Sequence, residues 1–413
     1  MTLSPRTKKI IFISLVVVVT GLLAYGVYFL FFQQLITPEN ENKNANGNVN
    51  GGTLPNTNVN RLVNRNTNVS TNGATNLPQI SDIANGGLTK VTDVADVAVE
   101  AGAPTSDRTG YVYYDSATHK FYQILANGER AELSDKEFYD VANVAWSPDR
   151  NQAIMDYPDG SKIYYNFKSG QTVTLPKELN DVHFSEAGDK IAYEFLGEEE
   201  NERWLAIANP DGSGQQILEP LGDRDNRVEV NMSPDAQVVG IYREGIGVDQ
   251  EEIYFLGQHG ENFKSMVVDG AGFEGQWTPQ GDKLLYSVYN SESDYKPELY
   301  IVDARGENIG LNKLDLDLNT WSDKCAFSGS SLYCAVPNDL PTGAGLDPSL
   351  ASQTTDSFYQ VNLETGQKSL LAIPYSGSSQ IGYSAEGVYL SLDGSYLYFR
   401  NALTGKLDKI QIK

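Results

Sequence analysis

The chain is poor in the residues that write chemistry into a sequence. It has two cysteines, three histidines and four methionines in 413 residues. Two cysteines exclude a disulfide-dense scaffold and a paired Cys-x-x-Cys zinc knuckle. The histidines His119, His183 and His259 fall in separate segments. His183 is expected to pack within a strand and the other two lie near turns. There is no Gly-x-Ser-x-Gly elbow, no His-Glu-x-x-His and no phosphate loop, so no enzyme class is signed and none is expected. Sustained helical periodicity is missing from about residue 90 onward. Positive charge is also scarce, with 31 Lys and Arg against 54 Asp and Glu, a net charge of −23. Residues 1–9 and 37–80 carry small positive balances, which leaves the remainder strongly acidic. Such a surface argues against nucleic acid and anionic lipid, and suits a basic partner.

One long apolar run is present. Ile10 to Phe32 is interrupted only by Ser14, Thr20, Gly21 and Gly26, and at about 1.5 Å per residue a helix of this length spans a bilayer core of roughly 30 Å. Arg6, Lys8 and Lys9 precede it, so the positive-inside rule puts residues 1–9 in the cytoplasm and the rest outside. Phe32-Gln33-Gln34-Leu35 follows rather than small residues around a cleavage site, which favours an uncleaved signal anchor in the cell membrane. Residues 33–89 are rich in Asn, with Asn at alternate positions from Asn40 to Asn50. So polar a stretch is expected to act as a flexible linker with a reach of roughly 35–40 Å.

The rest of the chain repeats one cassette. Val144-Ala145-Trp146 leads into Ser147-Pro148-Asp149, and Ala153-Ile154-Met155 resumes as a second strand, a β-hairpin pattern. Equivalent turn hydroxyls are Ser185, Ser233, Thr278, Ser328 and Ser384, spaced by roughly 40 to 55 residues, the period of a four-stranded propeller blade. Asp149 and Asp235 are read as turn stabilisers. Two further strand-like runs follow each cassette, for example Lys162–Asn166 and Gln171–Leu175. At the front, Val94–Val99, Tyr111–Tyr114, Phe121–Ile124 and Arg130–Leu133 fill four strand slots. Gln380–Ser384 opens a last unit continued by 388–392, 395–399 and 407–412. The expectation is an all-β propeller over residues 90–413, with seven blades, or six if the first unit only packs against the ring.

Trp146-Ser-Pro-Asp149, Trp277-Thr-Pro-Gln-Gly-Asp-Lys283 and Asn209-Pro-Asp-Gly212 resemble the TolB-like, WD-like propeller repeat. The resemblance covers about residues 90–413 and implies the fold. It implies no single task, because the repeat serves many. The α/β domain of TolB and the hydrolase domain of the propeller-bearing peptidases have no counterpart here.

Gly329-Ser330 reads as a two-residue hairpin loop, which sets Ser328 opposite Ser331, Phe327 opposite Leu332 and Cys325 opposite Cys334, so a structural disulfide is expected. In a propeller the long loops gather on one face. Here they carry Glu198, Glu199, Glu200, Glu202 and Arg203; Asp223, Arg224 and Asp225; Glu244 and Asp249; and Asp294 and Tyr295, next to the insertion between Pro337 and Asp356. These residues form the candidate binding face. No cofactor or metal is expected. Calcium on the Glu198–Glu202 run is the alternative, although no Asp-x-Asp-x-Asp-Gly loop supports it. The function expected is a membrane-tethered binding or scaffold module for an envelope protein or peptide. The alternative is a glycan-active hydrolase or lyase using the channel, in which case a convergent acid pair should line a pocket.

Overall fold

The recurring turn sets the local structure. Ser147 N–H donates to the Gln152 carbonyl at 2.9 Å, and Arg150 N–H donates back to the Ser147 carbonyl at 3.0 Å. The Ser147 hydroxyl donates to Asp149 Oδ1 at 2.7 Å and accepts from Gln152 N–H at 3.0 Å. A short hydroxyl or carboxylate can thus satisfy the backbone of a tight turn without help from elsewhere. The same backbone pair closes at Ser185/Gly188, Ser233/Ala236, Thr278/Gly281 and Ser391/Gly394. Asp235 repeats the role of Asp149, so both aspartates are turn stabilisers. The fourth position of each turn has positive φ, and Arg150 and Ala236 adopt it without being glycine.

The computed structural model describes residues 79–375 and 382–413. The apolar run Ile10–Phe32, most of the Asn-rich segment, and Gln380 and Ile381 lie outside these residues. Among the described residues no helix is long and apolar enough to cross a membrane. They form five separate four-stranded antiparallel sheets, at residues 100–132, 143–175, 179–220, 228–268 and 271–315. An eight-stranded sheet joins two further groups of four. One group holds Cys325–Ser328, Ser331–Pro337, Asp356–Asn362 and Lys368–Tyr375. The other holds Ala385–Leu390, Tyr396–Asn401, Lys406–Gln411 and, as its fourth member, the N-terminal strand Leu88–Ala98.

Each group packs on the next. Trp146 Nε1 donates to the Ala101 carbonyl at 2.8 Å across the first two. Ile154, Leu175, Leu179 and Ile191 fill the next gap, and Leu205, Leu221, Val230 and Val239 the one after. Phe255, Phe273, Trp277 and Tyr286 fill the fourth, and Leu285, Leu299, Phe327 and Val361 the fifth. Phe358 and Phe399 meet across the sixth, with ring centroids 5.1 Å apart. The last group then returns to the first: Tyr389 stacks on Tyr111 with centroids 6.0 Å apart, and Arg400 Nε donates to the Val99 carbonyl at 2.9 Å. Ring closure of this kind leaves each sheet only short, protected edges.

Two readings need correction. The segment Val94–Val99 does not open the first sheet. Val91–Asp93 pairs antiparallel with Asp408–Ile410, and Ala98 with Lys406, while Leu88–Lys90 pairs parallel with Ile373–Tyr375; the first sheet begins with Glu100–Pro104. The second concerns the last turn hydroxyl, which is Ser391 rather than Ser384. Ser391 Oγ donates to Asp393 at 2.6 Å and accepts from Tyr396 N–H at 2.9 Å, whereas Ser384 is buried and donates to the Ala351 carbonyl.

Cys325 and Cys334 sit opposite each other, as do Phe327 and Leu332, and Ser328 and Ser331. The two sulfurs are bonded, with the Cα atoms 4.1 Å apart. This cross-link lies buried against Leu285, Leu299 and Leu332.

Candidate functional site

Leading strands of neighbouring groups lie against each other, Glu100–Pro104 on Asn143–Trp146, Asn143–Trp146 on Leu179–Phe184, Leu179–Phe184 on Val228–Val230 and Cys325–Ser328 on Ala385–Leu390, so these strands lie innermost in the ring. Near the loop end of the centre, Glu229, Arg243, Glu274, Gly275, Ser322 and Asp323 line a cavity of ≈ 450 Å³. Glu229 lies in the strand Val228–Val230, between two valines, and Glu274 in Ala271–Trp277, between Phe273 and Gly275. Ser322 and Asp323 belong to the short 3-10 turn Ser322–Lys324 ahead of Cys325. The strand Ala271–Trp277 shifts register between Ala271 and Glu274. Such bulges re-aim side chains at the rim of a closed sheet array.

Hydrogen bonds fix the wall. Asn231 donates both to Glu229 Oε1 at 3.1 Å and to the Gly275 carbonyl at 2.7 Å. Arg243 Nη1 donates to the Phe273 carbonyl at 3.0 Å, while its Nε is buried without a hydrogen-bond partner. Ser322 Oγ donates to the Glu274 carbonyl at 3.2 Å. Burial pushes the Glu274 carboxyl up to about 7, with the charges of Asp323 and Glu229 acting in the same direction and Arg243 against them. Burial likewise raises Glu229, opposed by its Asn231 hydrogen bond and by Arg243. The cavity therefore holds one carboxyl, Glu274, that can keep a proton near neutrality beside a fixed guanidinium.

A neighbouring carboxyl lies deeper. Glu194 is 7% exposed, its Oε1 has no hydrogen-bond partner, and burial next to Asp181 and Asp225 pushes it up to about 8. Asp181 accepts from Val230 N–H at 2.7 Å and lies 3.0 Å from His183 Nε2. His183 is exposed rather than packed, because its strand shifts register between Asn180 and His183.

The loop-face residues divide into two groups. Glu198, Glu199, Glu200 and Glu202 are exposed on one loop, and Arg203 pairs with Asp225 at 3.3 Å on the 3-10 turn Gly222–Arg227. On that turn Asp223 is exposed and the Arg224 guanidinium lies 5.7 Å from the centre of the Tyr242 ring. The second group joins three loops. Asp249 Oδ2 accepts from Ser291 Oγ at 2.6 Å. The Asp294 carbonyl accepts from Gly343 N–H at 2.9 Å and the Tyr295 carbonyl from Gly345 N–H at 2.7 Å. A Cβ on Gly345 would lie 2.6 Å from the Tyr289 ring, so glycine is required for this close approach. Glu244, next to the end of its strand, lies opposite Glu252. Among the described residues no group of three or more His, Cys, Asp or Glu side chains is arranged to hold a metal ion.

The channel residues Glu229, Arg243, Glu274, Ser322 and Asp323 were not among the sequence candidates. Their available signal was a charged residue inside an apolar strand run, as in Val228-Glu229-Val230.

No family model and no curated protein matches the sequence. Solved structures do match by shape. The chain is similar to the β-propeller domain of Swd1 from Myceliophteria thermophila, with a TM-score of 0.51 at 10% identity over 78% of this chain and 100% of that domain. It is similar to the tricorn protease with a TM-score of 0.50 at 9% identity, over 76% of this chain and 33% of that one. A lower likeness, on which nothing rests, is to an oligogalacturonate lyase in complex with manganese, with a TM-score of 0.47 at 11% identity over 78% of this chain and 93% of the other. Identities this low speak to the fold alone, and the fold of the described residues is that of a β-propeller.

Proposed function

We propose that the chain is a membrane-tethered, extracytoplasmic propeller of seven TolB-like blades that binds an envelope protein or peptide through its loop face. The observation that carries this reading is the bonded rim: loops from three successive groups are tied by Asp249–Ser291, Asp294–Gly343 and Tyr295–Gly345. Loops held in one geometry lose little entropy on binding, which is what a recognition surface requires. The acidic balance of the same domain suits a basic partner. In this reading the apolar run Ile10–Phe32 anchors the chain and the Asn-rich linker lets the face reach an envelope component outside the membrane.

Proximity labelling from the propeller on intact cells tests the reading. One envelope protein should be enriched reproducibly, and enrichment should fall when Asp223→Lys and Glu292→Lys reverse two exposed rim charges. Reversing Glu186→Lys on the opposite face should leave it unchanged. Equal loss from both faces, or no enriched protein, would overturn the binding reading.

A second reading, a glycan-active hydrolase or lyase, is favoured by one observation: a carboxyl pushed up to about 7 at Glu274 lines a cavity with Glu229 and Arg243. A carboxylic acid with such a proton can act as a general acid. Turnover of envelope glycan that is lost in both Glu274→Gln and Glu229→Gln would replace the first reading with this one.

A further inference from the structure

Four large apolar side chains stand out from the bonded loops. Val248 is 96% exposed, Leu346 63%, Ile246 49% and Tyr295 38%. They lie on the three loops joined by the Asp249–Ser291, Asp294–Gly343 and Tyr295–Gly345 bonds, so they share one part of the loop face. The loops beneath them are held in place. Ile246 N–H donates to the Gln250 carbonyl, Tyr295 N–H to the Asn290 carbonyl and Leu346 N–H to the Gly343 carbonyl. Leu340, Ala344 and Ala351 are buried with Trp321 under the third loop. An apolar surface on a rigid support, facing water, is the pattern of a recognition site.

The charge around it identifies the occupant. Over residues 246–250, 290–297 and 338–355 the carboxylates are Asp249, Glu292, Asp294, Asp339 and Asp347, and the one cation is Lys296. Anionic lipid and a second copy of this acidic chain would both be repelled there. We propose that Ile246, Val248, Tyr295 and Leu346 form a docking surface for a peptide segment of an envelope protein that carries apolar side chains flanked by Lys or Arg. This rests on the binding reading above and names its partner class: apolar side chains supply contact area and basic flanks meet the acidic border.

The test uses the full chain in phosphatidylcholine nanodiscs, with empty discs as the blank, and fluorescent synthetic peptides of about 12 residues. One alternates Leu and Lys, one Ser and Lys, and one Leu and Glu. The Leu/Lys peptide should bind about tenfold or more tightly than either other peptide. The double substitution Val248→Ser and Leu346→Ser should remove that preference with no change in thermal unfolding, since both side chains are exposed. Replacing Glu292→Lys and Asp339→Lys should weaken the Leu/Lys peptide and strengthen the Leu/Glu peptide. Equal binding of the Ser/Lys and Leu/Lys peptides would overturn the proposal, leaving charge alone. So would vesicle binding or self-association that the double Ser variant loses, in favour of lipid or a second copy. If the double variant keeps the envelope protein captured in cells, this surface is wrong while the binding reading stands. If the wild-type chain captures nothing, the binding reading has failed first.

Discussion

Asp408 couples the closure of the ring to pH. It is 2% exposed, sits directly across from Asp93 on the closing strand, and its Oδ1 has no hydrogen-bond partner. Lys406, 3.5 Å from Asp93, is the nearby cation. Burial, then the charge and hydrogen bond of Asp93, push the Asp408 carboxyl from 3.8 up to about 7, with Lys406 opposing. The folded chain therefore holds a proton at Asp408 that the unfolded chain has released. Its contribution to stability is fully present below about pH 4 and is lost as pH rises through about 7. Asp408→Asn should leave stability at pH 4 nearly unchanged and raise it at pH 8 by on the order of 2–4 kcal/mol. Urea unfolding at the two pH values measures this, and equal effects at both would contradict the raised Asp408 carboxyl. Side chains of this kind were the least legible in the sequence. Glu229 stands between two valines and Glu274 follows Phe273, while Asp408 sits in the mixed run Lys406-Leu-Asp-Lys-Ile-Gln411, and alternation alone does not say which face of a strand meets the axis or a neighbouring sheet.

Among the elements, the hairpins were legible because their turns are self-contained. The Ser147 and Ser233 turns are closed by their own hydroxyls and aspartates, and the register Cys325 to Cys334 follows from a two-residue loop. Reducing that disulfide should cost about 2–3 kcal/mol, the loop-closure entropy of a short ring. Denaturant midpoints of the wild type and the Cys325→Ala, Cys334→Ala pair, with and without reductant, measure it. A wild type insensitive to reductant would show that the cross-link does not constrain the unfolded chain. The closing strand was not legible, because its partner lies more than 300 residues away and its own pattern fits a leading strand equally well. Only the three-strand count of the last unit, Ala385–Leu390, Tyr396–Asn401 and Lys406–Gln411, hints that a fourth must come from elsewhere. The error at Ser384 followed from the same gap, since Ser391-Leu392-Asp393-Gly394 carries the turn chemistry without the proline of the Ser147, Ser233 and Thr278 cassettes.

At the scale of the whole molecule, the repeat period and turn chemistry were enough for an all-β ring. The loops themselves were not resolvable from sequence into groups. What joins Asp249 to Ser291 and Tyr295 to Gly345, while leaving Glu198 to Glu202 exposed elsewhere, is the order of groups around the ring. The central claim is that the loop face captures an envelope protein. Site-specific photo-crosslinking on intact cells tests it most directly, with the photoreactive residue at Tyr295 on the loop face or at Glu186 on the opposite turn face of the full chain. The account predicts one discrete cross-linked envelope protein from position 295 and none from 186. Equal capture from both positions, or none from 295, would contradict it.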